Sequence, residues 1–430
     1  MKKYDLEDTD ENIKLTIEKN NLNRNKKLIV LSKMLTNLND NYIIAIDGAW
    51  GSGKTFFVKQ FKYLLQHISE YTDNCVFCEV DKNAIKECSN NNLVVYYNAW
   101  INDNHNGYPL ESIIYSILND YPNYKSILPN FDGFKKIFKD FTNNLIYKIS
   151  YETIDISSID KINSFEDYAK EINTIEEKKN IFDKLINYLL NDDKRLILII
   201  DELDRCKPTF AVELLETIKH FYNNKKITIL LSTNNCELAH TIKKVYGNEF
   251  NGYGYLNKFY DCIVNFDNND EEIEKYLENN MEFNGNGNYS TKVIKLLFKY
   301  YHFSLRECNK YISLYNLLFN YIVNYGVNVY NYILIPLAII FKIKNIELYN
   351  LFMNNNADDE IRKVMNYLLS NDKFKYIKRD IINIESDEEY VEKVIEGYHK
   401  IFIEKHVYDR YPFFEALSML GTYINIKDNE

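Results

Sequence analysis

Leu28, Leu31, Leu35 and Leu38 return at three- and four-residue spacing, so residues 24–38 predict an amphipathic helix. The next apolar stretch has no such period. Tyr42-Ile43-Ile44-Ala45-Ile46-Asp47 is short, unbroken and followed by glycine, which predicts a buried strand. Helical spacing resumes from Phe56 to Leu65. Leu93 to Tyr97 predicts a second strand, Leu196 to Ile200 a third, Thr209 to Tyr222 a helix, and Ile227 to Ser232 one more strand. Short apolar strands alternating with helices predict an α/β fold whose central, mainly parallel sheet is covered by helices on both faces. Residues 110–190 carry helix spacing without a strong strand, so a helical insertion is expected at about 101–190. Residues 1–22 are polar and charged, an N-terminal arm or a first short helix. Beyond about residue 265 the character changes: Asn284-Gly285-Asn286-Gly287-Asn288 is turn-rich, and helix spacing runs nearly throughout the rest of the chain. The expected organisation is an arm at 1–22, an α/β core at 23–265, and an α-helical lid and C-terminal region at 266–430.

Composition narrows the function classes. Of the 430 residues, 46% are hydrophobic and 27% charged, which excludes a mainly disordered chain. Lys and Arg total 52 against 62 Asp and Glu, a net charge of −10, and counterion release on nucleic acid needs a basic face instead. Nucleic acid is therefore not a favoured partner. The cluster Lys135, Lys136 and Lys139, interleaved with Phe134 and Phe138, is the local exception, and a solvated helix face explains it as simply. Met1-Lys2-Lys3-Tyr4-Asp5 runs into acidic residues, so no signal peptide is expected. The longest apolar run, Tyr332 to Phe341, is about half of the ~20 residues a spanning helix needs, and Pro336 interrupts it. No transmembrane segment is expected, and a cytoplasmic location is the corresponding expectation, with peripheral membrane association left open. Seven scattered cysteines fit a reducing compartment. Cys75 and Cys78 form a C-x-x-C near Cys88 and His67, but without a second pair ordinary thiols are a better reading than zinc.

The chemistry begins at Gly48-Ala49-Trp50-Gly51-Ser52-Gly53-Lys54-Thr55, which fills every fixed position of G-x-x-x-x-G-K-[ST] between a buried strand and a helix. Glycines let backbone N–H groups turn inward around a β-phosphate, and the helix starting there adds its positive end. Gly48, Trp50, Gly51, Ser52 and Gly53 are thus expected to form the nucleotide cradle. Lys54 would reach the β- and γ-phosphates, and the Thr55 hydroxyl would sit on Mg²⁺. About 150 residues on, the strand Leu196–Ile200 ends in Asp201-Glu202. Asp201 is expected in the Mg²⁺ shell, and Glu202 is the candidate to orient and polarise the attacking water. In P-loop ATPases of the additional-strand type, a polar residue leaving the next strand contacts the γ-phosphate or that water. Thr233 or Asn234 would do so here, with ordinary turn residues as the alternative. Arginine is scarce, seven against 45 lysines. Arg205 comes three residues after the carboxylates. Arg306 opens a helical stretch beyond the core and is a candidate to reach the γ-phosphate from a lid helix, against a surface ion pair. Lys258 is a further candidate for an intersubunit finger. No N-K-x-D guanine-reading motif comes after the last strand, which favours ATP over GTP. There is no L-S-G-G-Q-like signature and no DEAD-like box.

Trp50-Gly51-Ser52-Gly53-Lys54-Thr55, Tyr96-Tyr97-Asn98-Ala99-Trp100 and Asp201-Glu202-Leu203-Asp204-Arg205-Cys206 together resemble the hallmarks of KAP-type P-loop NTPases. Tyr255-Leu256-Asn257-Lys258-Phe259 is similar to that family's Y-L-E-K-[IF] segment, and Leu305-Arg306-Glu307 to its P-R-E motif. The likeness covers about residues 20–315. It implies an ATP-binding, Mg-dependent ATPase acting as a nucleotide-driven switch. It also implies unknown protein partners in a membrane-associated signalling or a phage- or plasmid-defence assembly, with homo-oligomerisation open. In that setting Trp100 is expected to pack under or beside the nucleotide loop and Asn98 to brace the loop backbone. Many family members insert transmembrane helices between the Trp strand and Walker B. Residues 101–190 contain none, so membrane anchoring does not carry over. A non-catalytic nucleotide-gated scaffold and, less favoured, a nucleic-acid-stimulated ATPase are the alternatives.

Overall fold

The structure, a computed structural model, describes residues 7–36, 38–71, 76–103, 109–120, 182–187, 189–190, 194–221, 224–266, 270–280, 287–318, 330–403 and 412–419. They fall into two compact units. One comprises Asp8–Asn20 and Arg24–Asp267; the other comprises Met1–Glu7, Asn21–Asn23 and Asn268–Glu430.

The first unit is built on five parallel strands: β1 Tyr42–Asp47, β2 Asn92–Asn98, β3 Arg195–Asp201, β4 Ile227–Thr233 and β5 Cys262–Asn265. Their order across the sheet is β2-β3-β4-β1-β5. β4 therefore lies between the strand that leads into the glycine loop and the strand that ends in Asp201, which is the additional-strand arrangement. Ile43–Ile46 and Leu196–Ile200 are buried, as expected of unbroken apolar runs clothed on both faces. Ile43, Val95, Tyr97, Leu198, Ile200 and Leu231 enter a core shared with helices Pro109–Asp120, Pro208–Phe221 and Asn235–Tyr246 and with residues 182–187. The opposite face is covered by helices Lys54–Gln66 and Glu79–Asn91, against which Asp10–Lys19 and Asn25–Thr36 pack. The α/β P-loop class expected from the strand–helix alternation is the one observed.

β5 has no sequence signature of comparable strength. It is four residues long and three of them are exposed, so only its pairing with Ile44–Asp47 makes it a strand. The stretch 121–181, with Lys135, Lys136 and Lys139, lies outside the described residues, and so does Cys75.

The second unit is helical. Its apolar run, rather than being broken by Pro336, passes from a π-helical turn, Tyr330–Leu334, into a buried helix, Ile335–Lys344, with the proline in that helix's first turn. Ile335 to Phe341 are all buried, so an apolar surface all round is what this helix requires. Phe352 packs edge-on against Phe341 of this helix and tilted against Tyr398 and Phe414. Among the described residues no helix is long and apolar enough to cross a membrane.

Candidate nucleotide site

β1 delivers the chain to Gly48, and the helix Lys54–Gln66 carries it away. Between them Gly51 (φ 83°) and Gly53 (φ 86°) occupy the left-handed region, which lets the short loop curl its backbone inward at little steric cost. Gly48 is glycine for space: a Cβ there would stand 2.6 Å from the Phe266 carbonyl oxygen and 3.1 Å from Ser52 Oγ. Two of the loop's carbonyls turn outward to a guanidinium. Arg24 Nη2 donates to Ser52 O at 2.7 Å and Nη1 to Gly53 O at 3.2 Å. Lys54 folds back, donating to the carbonyls of Gly48 and, at 3.2 Å, Ala49. Burial pushes its ammonium below the ordinary lysine range, partly opposed by Asp204, Asp201 and Asp47.

β3 ends beside this loop. Asp201 is 1% exposed and accepts from Tyr96 Oη at 2.9 Å; the Thr55 and Ser232 hydroxyls face the same carboxylate. Burial raises its affinity for a proton more than these hydroxyls lower it. Glu202 adopts φ 62°, left-handed backbone for a residue with a side chain, and both its oxygens are engaged. Asn98 Nδ2 donates to Oε2 at 3.0 Å, and Arg205 Nη1 lies 2.9 Å from Oε1. The Arg205 guanidinium also sits 5.4 Å from the Trp100 ring centroid. Asp204 is buried, its carboxyl pushed up by that burial, and it accepts from Trp50 Nε1. Loop tip and carboxylate strand are thereby tied together.

Gly48, Trp50, Gly51, Ser52, Gly53, Lys54 and Thr55 thus line one loop beside Asp201 and Glu202. Thr233 and Asn234 leave β4, the strand between β3 and β1. Asn234 caps the helix Asn235–Tyr246, accepting from Glu237 N, and Thr233 Oγ1 donates to Asn235 Oδ1 at 2.9 Å. Arg306 belongs to the helical unit, exposed on the first turn of Leu305–Leu317, with no ion pair among the described residues. Lys258 is exposed. Two side chains make contacts that the sequence did not predict. Trp100 is half exposed and meets Arg205, and Asn98 holds Glu202. Sequence reasoning passed over the Tyr96 hydroxyl. The parallel register sets Tyr96 beside Ile199, two residues short of Asp201, a diagonal that a long aromatic side chain spans.

The family model described as the KAP family P-loop domain matches residues 24–388. The chain belongs to this family. Over 61 residues this KAP protein is also 39% identical to an uncharacterized protein of Methanocaldococcus jannaschii, a match that takes in 14% of the chain. The chain spans about 30% of the length of that curated relative. Membership makes the glycine loop that of a nucleotide-binding P-loop NTPase, and the residues present suit one. Ser52 Oγ is buried in the KAP loop and has no hydrogen-bond partner among the described residues, a hydroxyl that suits a phosphate oxygen. Thr55 and the buried, incompletely compensated Asp201 are the oxygen donors that would hold Mg²⁺.

Proposed function

We propose that the protein binds ATP with Mg²⁺ and hydrolyses it, acting as a nucleotide-driven switch. The observation that carries the reading is the closure of the glycine loop on the end of β3, where Trp50 Nε1 donates to Asp204 and the buried Asp201 adjoins Glu202. The loop N–H groups hold the β-phosphate, and Lys54 leaves the carbonyls of Gly48 and Ala49 to reach the β- and γ-phosphates. Bound Mg²⁺ would neutralise developing charge on the phosphate oxygens. Glu202, released from Arg205 on one oxygen, orients a water and draws its proton. Kinship with KAP proteins supports a place in a signalling or defence-like assembly at or near a membrane, read by a protein partner.

Phosphate release from wild type, Glu202→Gln and Lys54→Ala tests the proposal. The Gln variant should keep ATP affinity and lose about 10²–10⁴-fold in turnover. The Ala variant should lose binding as well. Equal release by all three would refute hydrolysis at this site. One observation favours a second reading, a nucleotide-gated scaffold: both Glu202 oxygens are already occupied by Asn98 and Arg205. Tight ATP binding without turnover, with or without a partner protein, would support it.

A further inference from the structure

Behind the glycine loop lies a charged side chain that the proposed chemistry does not use. Arg24 is 1% exposed, among the largest fully buried side chains of the protein. Its guanidinium grips two successive carbonyls, Ser52 O and Gly53 O, and stacks over the Phe266 ring with 4.8 Å to the centroid. Phe266 is itself fixed to β1: its N–H donates to Asp47 O at 2.6 Å, and its carbonyl abuts Gly48. Asp47, Phe266, Arg24 and the Ser52–Gly53 backbone therefore enclose the loop from its base to the helix start.

We propose that Arg24 is a positioning residue for the nucleotide's β-phosphate, acting through the peptide groups it holds. The inference rests on the nucleotide-binding reading above. Each carbonyl that Arg24 grips shares a peptide unit with the next residue's N–H, so the two gripped units present the N–H groups of Gly53 and Lys54 on their other side. A guanidinium on the oxygen polarises the unit and strengthens its N–H as a donor. It also fixes the plane of the unit, so the donors need not be oriented when phosphate arrives. The fork of the guanidinium is what permits two carbonyls to be held at once; a lysine ammonium is a point charge and cannot copy it. Gly53 is adapted to the same contact. A Cβ there would stand 2.8 Å from Arg24 Nη1.

The ligands that gain from this arrangement are nucleoside di- and triphosphates alike. A monophosphate, with no β-phosphate, gains nothing. The test is calorimetric titration of wild type, Arg24→Lys and Arg24→Met with ATP, ADP and AMP in the presence of Mg²⁺, together with steady-state phosphate release. Loss of charge-assisted bonds to two carbonyls should raise Kd for ATP and ADP equally in Arg24→Met, by about tenfold to a hundredfold. Arg24→Lys, which keeps the charge and is expected to fold, should fall in between. KM should rise while kcat at saturating ATP stays within about twofold, because Asp201 and Glu202 are untouched. A role confined to holding the fold would instead lower the active fraction and the melting temperature, with Kd and KM unchanged; that outcome overturns the proposal. A loss for ATP without a loss for ADP overturns it too, since it places the effect on the γ-phosphate. If wild type itself binds neither nucleotide, the nucleotide reading fails; if wild type binds and both variants bind equally well, only the role of Arg24 fails.

Discussion

Gly48→Ala is the sharpest probe of the loop's back wall. The added Cβ would meet the Phe266 carbonyl oxygen at 2.6 Å and Ser52 Oγ at 3.1 Å. A close carbon–oxygen approach is about 3.3 Å, so loop and wall must part by about 0.7 Å. Neither side yields easily. Phe266 N–H is bonded to Asp47 O at 2.6 Å, and Gly48 N–H to Thr233 O at 3.3 Å, so the obstruction is backbone against backbone. Overpacking of this kind costs about 1–3 kcal/mol. If the loop absorbs the shift, its N–H groups move off the phosphate positions, and a misplacement approaching 1 Å costs on the order of a hundredfold. Gly247→Ala is the control. Its φ of 104° makes any side chain strained, but nothing lies within 4 Å of the new Cβ. That variant should lose on the order of 1 kcal/mol of stability and none of its nucleotide affinity. Calorimetry with ATP and ADP, beside thermal melts of the free proteins, separates the two effects. Gly48→Ala with wild-type melting and wild-type Kd would refute the account of the back wall.

Trp50→Phe removes the donor to the buried Asp204 carboxylate and should destabilise the fold by about 1–3 kcal/mol, read as a lower melting temperature. In a double-mutant cycle with Asp204→Asn the two losses should fail to add, and strict additivity would show that the pair does not interact. Burial holds the Asp204 carboxyl above its usual range, so the folded chain binds that proton more tightly than the unfolded chain does. The stability this group contributes is therefore present below its unfolded pKa of about 3.9 and is lost as pH rises through the raised, folded value. Asp204→Asn removes that slope, and its melting temperature relative to wild type should climb as pH is raised from about 4; a flat difference would refute the assignment. Finally, ATP at about 100 times its Kd should stabilise wild type by about 2.7 kcal/mol, and chelating Mg²⁺ should remove most of that gain. In Asp201→Asn the chelator should make no difference to the melt, and a full Mg²⁺-dependent shift in that variant would exclude Asp201 as the metal's ligand.

What could be read in the chain was whatever leaves a local trace. β1, β3 and β4 show as unbroken apolar runs because both of their faces are covered, and the glycine loop shows because its φ angles and its close approach to Phe266 demand glycine. β5 left no trace, since four mostly exposed residues carry neither an apolar run nor an alternation. The hold on Glu202 was equally hidden. It depends on the β2–β3 register, which sets Asn98 directly beside Asp201, and register is decided by tertiary packing. Arg24, at the start of the predicted amphipathic helix, carries no motif that sets it apart; only the folded chain shows a guanidinium sealed behind a loop 28 residues away. Asn234 shows how one position can serve two readings. Its position at a strand end suggests phosphate contact, and the same position makes its Oδ1 the cap of the next helix.

The electrostatics of the site argue that nucleotide and metal belong together. Lys54 and Asp201 are both buried, and burial disfavours the charged form of each: the ammonium is pushed down and the carboxyl up. Each is eased by neutral groups, the carbonyls of Gly48 and Ala49 on one side and the Tyr96 hydroxyl on the other. A phosphate chain alone would suit Lys54 and the Ser52 hydroxyl while setting negative oxygens near Asp201. A divalent cation alone would suit Asp201 while crowding Lys54. Arriving together, the two satisfy both ends, and each lowers the electrostatic cost of the other. By linkage such a coupling would be mutual, the metal tightening the nucleotide by the same factor as the nucleotide tightened the metal. The strand order makes this possible, because β4 lies between β1 and β3 and brings Ser232 up to the same carboxylate from the intervening position. The sheet therefore does more than present a loop: it sets a buried cation near a buried anion, an arrangement that a metal–phosphate pair would satisfy.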